Sequence, residues 1–259
     1  MGLLLKVGIN ADLVKTALIA FSSIVFFIFF INYFPLLKKI FPNYSLQLGG
    51  LIGNTSFLGI PIAIALLPTD TINFTIGFDL GTTLFAWVFG PYLLQLDKKN
   101  SPTLSIRTIS LSIISSPASK GIIGVLIAYL IGIETLLGEI LWIPAKIVIF
   151  FAIIVVGTRL GIILNDKNQS LQLSDNILYS IILKLFIFPT FIFILCNLFQ
   201  LNLVESMALV LQAGTPSAIS TILMAEAYKK NQETAAKILF ITTILSMATI
   251  PIITLIINI

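Results

Sequence analysis

Apolar residues run through this chain in stretches longer than a soluble helix needs, broken by short clusters of polar and charged residues. Eight such stretches stand out: Val14–Phe34, Leu46–Pro68, Thr75–Leu96, Pro117–Ile133, Leu136–Ile163, Ile177–Phe199, Val204–Tyr228 and Ala235–Ile257. A hydrocarbon core about 30 Å thick is crossed by about 20 mostly apolar residues in a helix. The pattern therefore predicts an all-α integral membrane protein of about eight transmembrane helices. The fourth stretch is short, and the second and seventh are interrupted. Between the third and fourth, Ser101–Ser116 alternates Leu104, Ile106, Ile109 and Leu111 with Ser, Arg and Thr. That segment reads either as an amphipathic stretch on the membrane surface or as a plain polar connection. It divides the chain into an N-terminal half (1–100, three spans) and a C-terminal half (117–259, five spans).

Charge then orients the spans. Lys38, Lys39, Lys98, Lys99, Arg107, Lys167, Lys229 and Lys230 follow the first, third, fifth and seventh stretches, whereas Asp70, Glu134 and Glu205 follow the second, fourth and sixth. Lysine and arginine mark cytoplasmic loops, so both termini are expected outside a multi-pass protein of the cytoplasmic membrane. Lys6 and Lys15 are the dissenting charges. The start lacks the basic region of a signal peptide, and Lys6 stands where a myristoylation signal needs Ser or Thr.

Composition narrows the function. With 58% apolar and 10% charged residues, the chain departs from the roughly 45–50% and about 25% of soluble domains, so a soluble enzyme is excluded. The absence of histidine and the single cysteine leave no cofactor or metal to expect. They also remove the base of a serine hydrolase, and an aspartyl protease would need a second membrane Asp beside Asp79. No phosphate-cradling glycine loop is present, and no basic stripe suits nucleic acid. An enzyme is therefore not expected.

The two interruptions carry the chemistry. The second stretch contains Gly49, Gly50, Gly53, Asn54, Thr55, Ser56, Gly59 and Pro61; the seventh contains Gln212, Gly214, Thr215, Pro216, Ser217 and Ser220. Helix breaks free backbone groups that lipid cannot satisfy, each at several kcal/mol, so they persist where protein or a wet cavity meets them. Breaks at matching places in two halves point to a carrier's substrate site. Spans one to three and six to eight run in opposite senses. Each triplet has a broken middle span followed by a proline-bearing one, with Pro61 and Pro91 separated by 30 residues and Pro216 and Pro251 by 35. The spacing reads as an inverted repeat with two broken crossover helices. The competing reading is that small residues merely pack helices closely.

At these residues the chain resembles the auxin efflux carrier (PIN-like) family. The likeness rests on Gly53-Asn54-Thr55-Ser56-Phe57-Leu58-Gly59-Ile60-Pro61 and on Asp79-Leu80 with Phe85 and Gly90. It continues in Gln212-Ala213-Gly214-Thr215-Pro216-Ser217-Ala218, Ala225-Glu226-Ala227-Tyr228, Thr242-Thr243-Ile244-Leu245-Ser246 and Ile250-Pro251, with Lys184 and Pro189 before them. The resemblance covers roughly residues 14 to 258. It implies ten helices in two inverted five-helix repeats, of which this chain lacks the first two, with residues 1–10 as the tail of the second. It also implies a homodimer, an elevator-like motion, and export of small organic anions across the cell membrane. A membrane structural or signalling subunit that keeps the fold without transport is the alternative.

A half-helix N-terminus offers unpaired N–H groups and a positive dipole end, which suits a carboxylate. Asn54, Thr55, Thr215 and Ser217 are the expected hydrogen-bonding groups, with Pro61 and Pro216 holding the breaks open. The resemblance singles out Asn54. Gln212 and Ser220 are expected to bond between helices. Asp79 is the candidate for coupling or ion binding, as an intramembrane acid; it could equally pair with Lys184 or Lys146, or sit at a helix end. Lys184 is expected to reach the cytoplasmic interface on its long stem.

Overall fold

The computed structural model describes residues 2–96, 117–165 and 173–257. Helix α1 spans Gly2–Val7, α2 Ala11–Tyr33 and α3 Pro35–Ile40. The first interrupted stretch becomes α4 (Tyr44–Leu51), a π-helical turn (Thr55–Gly59) and α5 (Ile60–Leu66). After a short 3-10 turn comes α6 (Ile72–Leu96), then α7 (Pro117–Ile131) and α8 (Glu134–Asn165). Helix α9 (Asp175–Ile182), a π-helical turn (Leu183–Ile187) and α10 (Phe188–Leu198) follow one another without a gap. The second interrupted stretch becomes α11 (Leu203–Ala213) and α12 (Ile219–Ala227), and α13 spans Gln232–Ile257.

Each expected stretch is thus helical, and both interruptions are real breaks. Four helical stretches are long and apolar enough to cross a membrane among the described residues: Ala11–Tyr33, Thr69–Leu96, Asp175–Leu198 and Gln232–Ile257. The chain is an all-helical integral membrane protein. The Ser101–Ser116 segment and the loop carrying Lys167 lie outside the described residues.

Local chemistry sets the ends. Asn10, Asn43 and Asn202 each accept a hydrogen bond from a backbone N–H three residues on, starting α2, α4 and α11, as capping side chains do. Phe34, which precedes Pro35, is extended, because proline excludes the helical conformation from the residue before it. One helix departs from the sequence reading. Helix α3 carries Lys38 and Lys39, where a loop is expected, with Pro35 fitting its first turn. Helix α1 packs on α8, with Leu5 sharing a small buried cluster with Val125 and Ala128.

Most of the buried residues belong to one large cluster that joins α2–α6 to α9–α13, while α1, α7 and α8 form the smaller group. On α2 the buried positions Leu13, Ala20, Ile24, Phe27 and Ile31 make one stripe, and Leu18 and Phe29 on other faces are exposed, as suits a helix between protein and lipid. Gly81 lets α6 approach α2 closely: a Cβ there would collide with the Ala17 carbonyl oxygen. Phe21 of α2 packs edge-on against Phe85 and Phe89 of α6 at 5.7 and 5.8 Å between ring centroids. At the far end of α2, Asn32 donates to Gln47 Oε1 at 2.9 Å and Lys38 donates to Asn32 Oδ1. Helices α2 and α6 thereby frame the first break.

Candidate functional site

The two breaks meet. Helix α4 ends at Leu51 and the chain runs extended through Ile52 before Asn54 begins the π-helical turn. Helix α11 ends at Ala213, and residues Gly214–Ala218 lead into α12. Gly53 and Ser217 form an antiparallel β-bridge. Asn54 N donates to Pro216 O at 2.7 Å, and Ala218 N donates to Ile52 O at 2.9 Å. Each break thus satisfies part of the other's freed backbone, which is how an irregular segment persists in lipid.

Other groups complete the accounting. Thr242 of α13 accepts from Ser217 N at 3.0 Å, and Thr215 Oγ1 donates to Gln212 O at 2.7 Å. Lys184 Nζ donates to Ala213 O at 2.7 Å. The Asn54 carbonyl accepts from Leu58 N and Gly59 N, closing the π-helical turn. Gly53 is required by close approach: a Cβ there would run into Thr215 Oγ1 and lie 3.1 Å from Lys184 Nζ.

On the side where the chain leaves the crossing, a cavity of about 170 Å³ opens, lined by Asn54, Thr55, Ser56, Thr82, Trp87 and Ser220 among others. No charged side chain lines it among the described residues. Both helices that leave the crossing begin at this cavity, and neither has a side-chain cap at its start. Their first N–H groups precede any intrahelical acceptor. Asn54 is 3% exposed, and its Nδ2 has no partner; Thr82 Oγ1 is likewise buried and unpartnered. The cavity therefore gathers hydrogen-bond donors and positive dipole ends, with the Asp79 carboxyl behind its wall, bonded to Thr55, Ser56 and Thr83.

The expected site residues separate into groups. Asn54 and Thr55 line the cavity, and Thr215, Pro216 and Ser217 build the crossing behind it. Pro61 lies in the first turn of α5 beyond the π-helical turn; the first break is at Ile52–Asn54, so Pro216 alone of the two prolines stands at a break. Asp79 is not paired with Lys184. Its Oδ1 accepts from Thr55 Oγ1 and Ser56 Oγ, both at 2.6 Å, and from Thr83 Oγ1 at 3.4 Å, which ties the start of the π-helical turn to α6. Gln212 does not bond between helices: it is fully buried with neither amide atom partnered. Ser220 faces the cavity.

The places of three residues escape the sequence reading. Lys184 does not reach the membrane surface; it is 0% exposed, and it sits at the crossing. The π-helical turn Leu183–Ile187 carries it there. Thr82 and Thr83 stand three and four residues after Asp79, the spacing of one helix face, and that spacing was the available signal.

A family model described as membrane transport protein matches residues 106–254. The chain belongs to this family, that of the auxin efflux carriers. An uncharacterized transporter of Methanocaldococcus jannaschii is 24% identical over 222 residues, covering 82% of this chain and 70% of the relative. The chain is accordingly a membrane transporter. The matched region includes Lys184 and the second break, whereas Asn54 and Asp79 lie before it.

Proposed function

We propose that this transporter is a secondary carrier of small organic anions, bound in the cavity where the two broken helices cross. The observation that carries the reading is the convergence of unpaired donors, Asn54 Nδ2 and Thr82 Oγ1 with two uncapped helix starts, on one cavity whose lining side chains are uncharged. A carboxylate would satisfy these groups at once, and hydrogen bonds to a charged partner exceed neutral ones in strength. The cavity is smaller than the roughly 300 Å³ at the lower end of common ligand pockets, which favours acids of a few carbon atoms. The likeness to auxin efflux carriers, by their name exporters, favours export. The triplets α2, α4–α5, α6 and α9–α10, α11–α12, α13 are read as the two halves of an inverted repeat, moving against α1, α7 and α8.

Asp79 is assigned the coupling proton. It is half-buried within a membrane helix and fixed to the turn that opens the cavity, so its charge state is felt by the groups that bind the anion. The experiment is counterflow of a panel of radiolabelled small carboxylates in proteoliposomes, with and without a pH gradient. At least one acid is expected to exchange. Asp79→Asn keeps an acceptor for Thr55 and Ser56 but binds no proton, so exchange is retained while gradient-driven accumulation is lost. A folded protein that exchanges none of the acids sinks the carrier reading; accumulation unchanged in Asp79→Asn sinks the coupling role.

The orientation has its own measurement. Asp70 and Lys39 are exposed, and the native Cys196 is buried. In cells, a thiol placed at Asp70 is expected to react with an impermeant maleimide and one at Lys39 to be protected. The reverse pattern inverts the topology.

A further inference from the structure

The crossing has two electrical poles. Helices α4 and α11 end there, so their last carbonyl groups face one side; the helices that leave it present N–H groups to the other. The N–H pole is the cavity already described. The carbonyl pole holds Lys184. Its Nζ donates to Ala213 O, the last residue of α11, at 2.7 Å, and it lies beside Gly53 just past the end of α4. Phe188 places its ring centroid 5.0 Å from the same nitrogen. No carboxylate pairs with Lys184 among the described residues.

A fully buried ammonium without an ion-pair partner costs several kcal/mol unless the surroundings supply negative potential. Here the carbonyl end of α11 supplies it through Ala213 O, and α4 ends close by at Leu51, two residues before Gly53. In broken-helix carriers such carbonyl ends are where a coupling cation binds. We propose that Lys184 is a built-in substitute for that cation: its ammonium occupies the carbonyl pole, so the crossing forms and binds its anion without sodium. The transport consequence rests on the carrier reading above, while the structural consequence does not. A second consequence follows. Shortening Lys184 vacates the space of an ammonium group beside Ala213 O, and the protein then depends on a small monovalent cation from solution.

The test compares wild type, Lys184→Ala and Lys184→Met, each purified in nanodiscs. Thermal unfolding and carboxylate counterflow are measured in sodium, potassium and choline chloride at equal ionic strength. Wild type is expected to melt at the same temperature in all three salts. Lys184→Ala is expected to melt several degrees lower in choline, with counterflow lost, and to recover both in sodium or with added methylammonium. Lys184→Met fills the space with an apolar chain, so it is expected to be weakened without recovery. Stabilisation of wild type by sodium over choline overturns the proposal. So does either variant behaving as wild type in choline, or a Lys184→Ala defect that no small cation repairs. If the melting pattern holds while wild type exchanges no acid, the carrier reading fails and the role of Lys184 stands. If acids exchange but the melting pattern fails, the reverse follows.

Discussion

Asn54→Ala is expected to lower counterflow of the substrate acid by about 10- to 100-fold at sub-saturating concentration, with little change in melting temperature. The dissociation comes from the two roles of this residue. Its backbone makes the crossing: the N–H donates to Pro216 O and the carbonyl accepts from Leu58 and Gly59. Alanine keeps both. Its side chain makes no hydrogen bond through Nδ2 although it is buried, so truncation removes an unsatisfied donor and leaves stability nearly unchanged. A hydrogen bond to a charged partner contributes about 1.5–3 kcal/mol, which is roughly 10- to 150-fold in affinity. Asn54→Asp keeps the size and reverses the electrostatics, so it is expected to lose more. Equilibrium binding of the acid and a melting curve on the same samples decide the matter. If Asn54→Ala melts much lower and binds as before, the side chain is structural and the anion site lies elsewhere.

The features legible in the sequence are those written in backbone chemistry. Glycine and proline in the middle of an apolar run mark where a helix stops, and both breaks fall inside the stretches so marked. Their meeting was implied by equivalent placement in two triplets of opposite sense, and the Gly53–Ser217 bridge realises it. Side-chain direction was not legible. A lysine some distance into an apolar span reads as snorkelling, because period and composition do not record the π-helical turn that directs Lys184 inward. Pro61 misleads for a related reason. It is the more conspicuous breaker, but proline is accepted in the first turn of a helix, and that is its place in α5. The break itself is set by Gly53, whose need arises from a neighbour more than 150 residues away. Asp79 stood out as an acid in lipid, but two of its three partners, Thr55 and Ser56, come from a different element, the π-helical turn.

Gly53→Val is expected to abolish counterflow and lower the melting temperature by on the order of 10 °C. Two bonds, Asn54 N to Pro216 O and Ala218 N to Ile52 O, hold the broken segments together. A Cβ on residue 53 would strike Thr215 Oγ1, which is itself anchored to Gln212 O at 2.7 Å, and would press on Lys184 Nζ. Neither neighbour can withdraw without breaking its own hydrogen bond in a buried place. A branched side chain therefore separates the segments, and each backbone group so released in the membrane interior costs several kcal/mol. Gly53→Ala should show a smaller defect of the same kind, partly relieved by Thr215→Ala, which removes the struck oxygen; a double-mutant cycle measures that coupling. Gly157→Val in α8 is the control, since open space surrounds a Cβ there, and it should melt and transport as wild type does. Gly53→Val behaving like that control would mean that the two breaks do not touch at residue 53, and an anion cavity built on their contact would go with them.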